Sequence, residues 1–218
     1  KPRNKTQLPD VRQDNKPVRL YRDVLRLPGA ENDAAATAGA AASPPPPPKA
    51  ALVCWLCVHC PFVVLLKPAL SKLAAEYASK GVAVVAVSSN SPEARAEDGP
   101  EGMKADAEQH GFDFPYLYDG DDQAACKSWG VACTPEFFVV AGADARLLYH
   151  GQFDGARPGN GVEPTGEDLR RALDAALDGG PGGGGMVPPG EQRRAIGCSV
   201  KWTASEAPAY AAALAVPK

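Results

Sequence analysis

Two apolar runs on either side of a helical pattern constrain the fold of this chain more than any other feature. Residues 51–56 form a short apolar run bounded by loop signals, and residues 82–87 are valine-rich and apolar on both faces, as buried parallel strands are. From Pro61 onward apolar residues recur at helical spacing, and Lys80-Gly81 marks the end of that helix. Strands that alternate with helices in this way predict an α/β sheet with helices on both faces.

Weaker patterns extend this order along the chain. A turn-like segment separates two apolar runs in the second half of the sequence, which predicts an antiparallel hairpin at the edge of the sheet. The helix that follows is amphipathic, and Thr165 is expected to cap it. The additional predicted strands are 17–21, 115–118, 137–140 and 146–149, and the additional predicted helices are 102–110, 121–129 and the segment after Thr165.

Two low-complexity tracts interrupt the pattern. Residues 29–50 are rich in alanine and proline, and residues 179–185 are almost entirely glycine. A proline-rich tract acts as a semi-rigid spacer, whereas a glycine-rich tract acts as a flexible linker. The predicted organisation is a loose segment at 1–15, one domain at 16–178 that contains the insertion 29–50, a linker at 179–190, and a tail at 191–218 that docks on the domain.

The charge balance and the hydropathy pattern argue against two classes of partner. The chain has 23 basic and 26 acidic residues, a formal net charge of −3, without the clustered positive charge that nucleic acids and anionic membranes require. No apolar stretch approaches the roughly 18 residues of a membrane span. Because the chain begins at Lys1 rather than methionine, we expect a processed or trimmed form, located in the cytoplasm or an organelle stroma.

Cys57 and Cys60 form a CxxC motif, C-V-H-C, that is compatible with metal binding, disulfide exchange or simple packing of two thiols. Zinc usually takes four ligands in two spaced pairs, and the sequence contains no second CxxC motif. Covalent haem requires a histidine directly after the second cysteine, where Pro61 stands. These observations disfavour metal and haem, and we expect no cofactor.

The position of the motif between a strand and a helix favours a redox pair. A helix N-terminus lowers the pKa of a thiol because it presents unpaired N–H groups and a partial positive charge. We predict that Cys57 lies at the N-cap or in the first turn and attacks, and that Cys60, one turn inside, resolves the mixed disulfide. His59 is expected to donate a hydrogen bond or a positive charge toward the Cys57 thiolate, which makes the couple more oxidising.

The remaining cysteines differ in their expected roles. Cys54 and Cys126 occupy a predicted strand and a predicted helix, and both are expected to be buried as small hydrophobic residues. Cys133 lies two residues before Pro135, close to the expected site. Cys198 follows the flexible linker in a polar segment and could reach back to the CxxC motif. We therefore treat Cys133 and Cys198 as candidate additional redox thiols.

Six segments carry a resemblance to a known family: C-V-H-C-P-F-V, V-A-V-V-A-V-S-S-N, F-P-Y-L-Y-D, C-T-P-E-F-F, R-P-G-N-G and G-C-S-V-K-W. Together they resemble the thioredoxin superfamily, in the redoxin branch related to alkyl hydroperoxide reductases and thiol-specific antioxidant proteins. The resemblance implies a thioredoxin fold with a central mixed sheet, and matches Cys57 to the attacking and Cys60 to the resolving cysteine. It matches Thr134-Pro135 to a cis-proline turn placed against the disulfide. The implied partners are protein disulfides or dithiols and an upstream thiol reductant.

One departure from the family pattern keeps alternatives open. Peroxidases of the wider group surround the reactive cysteine with an upstream proline and threonine and an arginine, and residues 53–56 lack that pattern. The principal expectation is therefore a thiol–disulfide oxidoreductase. The alternatives are a thiol peroxidase that acts on hydroperoxides, and a redox-inert module that binds partners through its cis-proline groove or its proline-rich insertion.

Overall fold

The computed structural model describes residues 11–13, 16–18, 47–179, 184–203 and 207–214. The strands are β1 (Val11–Gln13), β2 (Lys16–Val18), β3 (Ala50–Trp55), β4 (Val82–Ser88), β5 (Tyr116–Tyr118), β6 (Cys133–Thr134), β7 (Glu136–Ala141), β8 (Leu147–Gly151) and β9 (Cys198–Ser199). The α-helices are α1 (Pro61–Ser79), α2 (Pro100–His110), α3 (Ala124–Trp129), α4 (Glu167–Asp178) and α5 (Ala209–Leu214), and 3-10 turns occupy Ala96–Asp98 and Pro189–Glu191.

Seven strands form one mixed sheet in the order β2-β1-β5-β4-β3-β7-β8. The three strands β5, β4 and β3 run parallel, which follows from the crossover helices that connect them. Strands β7 and β8 form the predicted antiparallel hairpin against β3, and β1 and β2 form a second hairpin beside β5. The predicted α/β sheet is thus confirmed. Of the predicted strand 17–21, the positions after 18 lie outside the described residues.

Alternate residues of β3 pack into two separate hydrophobic cores, because successive side chains of a strand point to opposite faces of the sheet. Leu52 and Cys54 belong to one cluster, which includes the buried sides of α1 and α4. Val53 and Trp55 belong to the other, which includes residues of α3 and Val200 from the tail. Both faces of β3 are therefore covered, and the strand is buried along its whole length.

Helix α4 is capped differently from the prediction. The predicted cap Thr165 is wrong, because the N-cap is Gly166 in a left-handed conformation with φ of 72°. The carboxylate of the buried Asp154 accepts hydrogen bonds from the backbone N–H groups of Thr165 and Gly166, each at 2.7 Å. A side chain on Gly166 would collide with Leu73 and Phe153, since a Cβ atom there would lie 2.7 and 2.8 Å from them. A glycine is therefore required where α4 meets the core.

The chain enters β3 at the end of the sheet opposite to the CxxC motif. The Lys49 N–H donates to the Gly81 carbonyl at 3.0 Å, and the Gly142 N–H donates to the Lys49 carbonyl at 3.0 Å. A Cβ atom on Gly142 would lie only 1.7 Å from the Pro48 carbonyl oxygen. The last residues of the predicted insertion 29–50 are thus fixed between β4 and β7, while positions 29–46 lie outside the described residues.

The described part of the predicted linker 179–190 packs against the domain. The Gly184 N–H donates to the Ala176 carbonyl at 3.0 Å, and Val187 is buried. Residues 184–190 of the predicted linker thus contact the domain, whereas residues 180–183 lie outside the described residues. The domain boundaries themselves stay predictions. Among the described helices, none combines the length and the apolar character needed to cross a membrane.

Candidate active site

The CxxC motif lies in the turn between β3 and α1, but the helix begins later than predicted. Cys60, not Cys57, is the N-cap, with an extended backbone (φ −64°, ψ 124°), and Pro61 is the first helical residue. Because a residue before proline is sterically pushed out of the helical region, Cys60 cannot lie one turn inside. The predicted positions of the two cysteines relative to the helix are therefore wrong by about one turn.

Both thiols lie against the Thr134-Pro135 turn, whose peptide bond is cis. The Cys57 sulfur is 3.2 Å from the Thr134 hydroxyl oxygen, and the Cys60 sulfur is 3.3 Å from the Thr134 carbonyl oxygen. Cys57 and Cys60 are both fully buried. The structure thus brings together the four residues that the sequence placed at the centre of the site.

The two thiols of the motif have pKa values displaced in opposite directions. The pKa of Cys60 is lowered to about 5, chiefly by a hydrogen bond from the Cys57 thiol and further by the Cys198 thiol and the Val63 N–H, against the opposing effect of burial. The pKa of Cys57 is raised, because its S–H donates to Cys60 and because it is buried. Hydrogen bonding between the two thiols therefore favours loss of the proton from one of them while the other stays protonated.

A buried carboxylate, Asp98, holds the C-V-H-C turn in place. One of its oxygens accepts hydrogen bonds from the backbone N–H groups of Val58 (2.8 Å) and His59 (3.2 Å). Its other oxygen lies 2.5 Å from His59 Nδ1 and accepts a hydrogen bond from the Asn90 side-chain amide at 2.7 Å. The hydrogen bond of the His59 ring is thus made to Asp98, while a ring nitrogen lies within 4.8 Å of the Cys57 sulfur, so the predicted influence of His59 on Cys57 stays a prediction.

Lys67 supports the same turn from the side of α1. Its ammonium group is buried, and it donates to the Val58 carbonyl at 2.9 Å and to the Asp106 carboxylate at 2.6 Å. Sequence reasoning missed both Asp98 and Lys67. Neither lies in a motif, and Asp98 is 39 positions from His59, so no local pattern could have indicated the contact.

Cys57, His59 and Asp98 could also bind a metal ion. Ligand atoms of Cys57, His59 and Asp98 all lie within 4.8 Å of one another, the one such group among the residues that the structure describes. Zinc sites usually have four ligands. Here His59 and Asp98 already satisfy one another and the turn, so a metal would have to replace those hydrogen bonds. The arrangement therefore favours thiol chemistry.

Two of the remaining cysteines are packing residues and one is a poor nucleophile. Cys54 and Cys126 are fully buried, and burial raises the pKa of each thiol. Cys133 is half-buried, and its sulfur lies 3.9 Å from the Glu136 carboxylate. Burial and the Glu136 charge raise the pKa of Cys133. Burial also raises the pKa of Cys198, so the difference between these two cysteines is one of contact: the Cys133 sulfur faces Glu136, whereas the Cys198 sulfur lies against Cys60. This geometry disfavours the predicted redox role of Cys133.

Cys198 is the thiol from outside the motif that reaches the site. Strand β9 pairs with β6, and its Cys198 lies opposite Thr134. The Cys198 sulfur is 2.8 Å from the Cys60 sulfur. The structure thus places this tail cysteine in direct contact with the CxxC pair, as the sequence suggested.

A mixed sheet with a CxxC motif at a strand–helix junction, facing a cis-proline turn, defines a thioredoxin-like protein. The family model for redoxin matches residues 46–153. The chain belongs to the redoxin branch of the thioredoxin-like superfamily. Membership in this family supports a redox enzyme as the general class of activity.

Three solved structures are among those similar to this chain. A hypothetical protein of Sinorhizobium meliloti is 47% identical, with a TM-score of 0.66 over 72% of this chain and 81% of that chain. An uncharacterised conserved protein of Geobacillus kaustophilus is 44% identical, with a TM-score of 0.65 over 72% and 79% of the two chains. A secreted Mycobacterium tuberculosis disulfide oxidoreductase is 19% identical, with a TM-score of 0.44 over 58% and 81%. No curated protein matches the chain.

Proposed function

We propose that this protein is a thiol–disulfide oxidoreductase that works through Cys57 and Cys60. The observation that carries the proposal is the contact of both buried thiols with the cis Thr134-Pro135 turn: the Cys57 sulfur lies 3.2 Å from the Thr134 hydroxyl oxygen and the Cys60 sulfur 3.3 Å from the Thr134 carbonyl oxygen. A thiolate, not a thiol, attacks a disulfide, so a stabilised thiolate next to a second thiol is suited to exchange.

The reaction transfers one disulfide bond between substrate and protein. The thiolate of the pair attacks one sulfur of a substrate disulfide, a mixed disulfide forms, and the other substrate sulfur leaves as a thiolate that takes up a proton. The second thiol of the pair then loses its proton and attacks the mixed disulfide. The Cys57–Cys60 disulfide forms and the reduced substrate leaves. A thiol reductant returns the pair to the dithiol state by the same exchange in reverse.

The order in which the two cysteines act is decided by experiment. The sequence predicted Cys57 as the attacking residue and Cys60 as the resolving residue. Hydrogen bonding within the pair lowers the pKa of Cys60, whereas the Thr134 carbonyl oxygen, 3.3 Å from the Cys60 sulfur, is an acceptor that disfavours a thiolate there. Trapping identifies the first nucleophile as the cysteine that retains a mixed disulfide when the other is changed to serine.

A redox titration tests the proposal. The protein is equilibrated in glutathione buffers, and its free thiols are alkylated. The mass of the tryptic peptide 50–72, which contains Cys57 and Cys60, is then measured by mass spectrometry. We expect one two-electron transition, with a midpoint above the roughly −270 mV of thioredoxin because the reduced form is stabilised by the Cys60 thiolate. A peptide that never changes mass would indicate a redox-inert module, and rapid consumption of hydrogen peroxide without disulfide turnover would indicate a peroxidase.

The alkylation rate of Cys60 is expected to depend on pH in an unusual range. Since the pKa of Cys60 is about 5, its thiolate is present above that pH and is lost below it. The rate at Cys60 should therefore rise between about pH 4 and 6 and then level off, whereas an ordinary thiol with a pKa of about 8.5 reacts faster up to pH 9. Iodoacetamide labelling followed by mass spectrometry measures this, with the unfolded protein as control. A rise centred near pH 8.5 in the folded protein would contradict it.

A further inference from the structure

The tail occupies the edge of the cis-proline strand. Strand β9 runs antiparallel to β6, with Cys198 opposite Thr134 and Ser199 opposite Cys133, and the Val200 N–H donates to the Ala132 carbonyl at 3.2 Å. A free strand edge of this kind can pair with an extended peptide through its main chain. Here the protein's own tail fills that position.

The tail is fixed on both sides of Cys198. A Cβ atom on Gly197 would lie 2.0 Å from the Thr134 carbonyl oxygen, so this close approach requires glycine. On the other side, the Lys201 N–H donates to the Asn90 side chain at 2.8 Å, and the Lys201 carbonyl accepts from the Ser91 N–H at 2.8 Å. The position of the Cys198 thiol is therefore set by backbone contacts that do not involve the sulfur.

Cys60 lies beside both other thiols of the site. Its sulfur is 2.8 Å from the Cys198 sulfur, and the Cys57 and Cys60 sulfurs contact the hydroxyl and the carbonyl oxygen of the same residue, Thr134. Cys198 is half-buried, whereas Cys57 and Cys60 are fully buried. Cys60 can therefore form a disulfide with either of the two after small movements.

We propose that Cys198 is a third redox thiol and that the tail is a built-in substrate of the Cys57–Cys60 pair, a role that rests on the proposed function. In the oxidised protein the Cys198 thiol loses its proton, and its sulfur attacks the Cys60 sulfur of the Cys57–Cys60 disulfide. The Cys60–Cys198 bond forms, the Cys57–Cys60 bond breaks, and the bonding electron pair leaves with Cys57. Cys57 takes up the proton released by Cys198, so the exchange needs no further oxidant or reductant.

The exchange has a consequence for access to the site. A Cys60–Cys198 disulfide pins the tail covalently along β6, so that an external chain cannot pair with that edge. Reduction of this bond leaves only the hydrogen bonds and packing of the tail to hold it there. The tail thus closes the site covalently in the oxidised protein, whereas in the reduced protein it stays along β6 through non-covalent contacts that a substrate chain can displace.

Disulfide mapping of the intact chain tests the proposal. Wild-type protein and the Cys57→Ser variant are oxidised with glutathione disulfide, quenched in acid, alkylated and digested with trypsin. We expect Cys57→Ser to yield peptide 50–72 cross-linked to peptide 195–201, which contains Cys198, in most molecules, and the wild type to yield a mixture of this cross-link and the disulfide within 50–72. A Cys60 thiol in Cys57→Ser that carries glutathione or the alkylating agent instead would overturn the proposal.

Three further variants complete the test. Gly197→Ala keeps every thiol but displaces the tail, and should lower the yield of the cross-link about tenfold, equivalent to roughly 1.4 kcal/mol of docking free energy. Cys133→Ser should leave the cross-link unchanged. If Cys198→Ser still forms the Cys57–Cys60 disulfide but no 50–72 to 195–201 cross-link is found in the other variants, only the third thiol is refuted. If Cys198→Ser forms no disulfide within 50–72 in any buffer, the proposed function itself fails.

Discussion

Cys60→Ser is expected to abolish disulfide reduction by this protein. The substitution removes one of the two sulfurs of the pair, the one that lies 2.8 Å from the Cys198 sulfur, so the Cys57–Cys60 disulfide cannot form and the exchange cannot be completed. Loss of a nucleophile in a group of residues that act as a unit lowers the rate on the order of 10²-fold or more. The measurement is the rate of reduction of a protein disulfide substrate with dithiothreitol as the electron donor.

Cys133→Ser is the matched control for this loss. Cys133 lies in β6, adjacent to Thr134, but its protonated thiol faces the Glu136 carboxylate. We expect its substitution to change the rate by less than about twofold, as is typical for a residue outside the reacting group. Retention of activity by Cys60→Ser together with its loss in Cys133→Ser would show that the exchange uses a different cysteine.

Asp98→Asn is expected to lower the free energy of unfolding by about 2–4 kcal/mol, because it breaks a buried, fully hydrogen-bonded carboxylate network. The amide that replaces one oxygen brings an N–H donor to a position where His59 and Asn90 also donate. The turn that carries Cys57 is thereby loosened as well. Urea unfolding monitored by tryptophan fluorescence measures the change, since Trp55 lies in the core next to the turn.

Asp113→Asn is the appropriate comparison, since Asp113 is exposed on the segment that follows α2. The Asp113→Asn substitution should alter the free energy of unfolding by less than about 0.5 kcal/mol. In Asp98→Asn, by contrast, loss of the Asp98 charge also removes one of the influences that raise the pKa of Cys57. Equal stabilities for Asp98→Asn and Asp113→Asn would mean that the Asp98 network contributes nothing to folding.

The sheet was predictable from the sequence because its signals are local. Residues 51–56 and 82–87 are apolar throughout, and the structure places β3 and β4 there within one residue at each end. Both strands are buried on two faces, so composition alone distinguishes them from surface strands. The hairpin of β7 and β8 was equally visible, since a turn-like segment separates two apolar runs.

The capping residues were predicted less well because caps depend on contacts from other elements. Thr165 has the right chemistry for an N-cap, yet Asp154 reaches the same N–H groups from the segment after β8. At the CxxC motif a local rule was overlooked: Pro61 as the first helical residue leaves Cys60 extended. That rule places the low-pKa position at Cys60 and could have been applied to the sequence.

The long-range part of the site could be predicted only in outline. Cys198 was suggested as a thiol that could reach back, but its partner was not, because a separation of 138 positions leaves no periodic signal. Asp98 was missed entirely for the same reason. In both cases the contact is created by the fold: β4 leads to the Asp98 turn, and β6 provides an edge for the tail.

The entry of the chain at Pro48 and Lys49 separates two surfaces of the molecule. A strand of six residues spans roughly 20 Å, so the start of β3 and the thiols after its end lie at opposite ends of the sheet. A change at the Gly81 and Gly142 turns, which hold Lys49, is therefore made about one strand length from the thiols. A reporter dye placed at that end of the sheet reads the stability of the domain without touching the exchanging sulfurs.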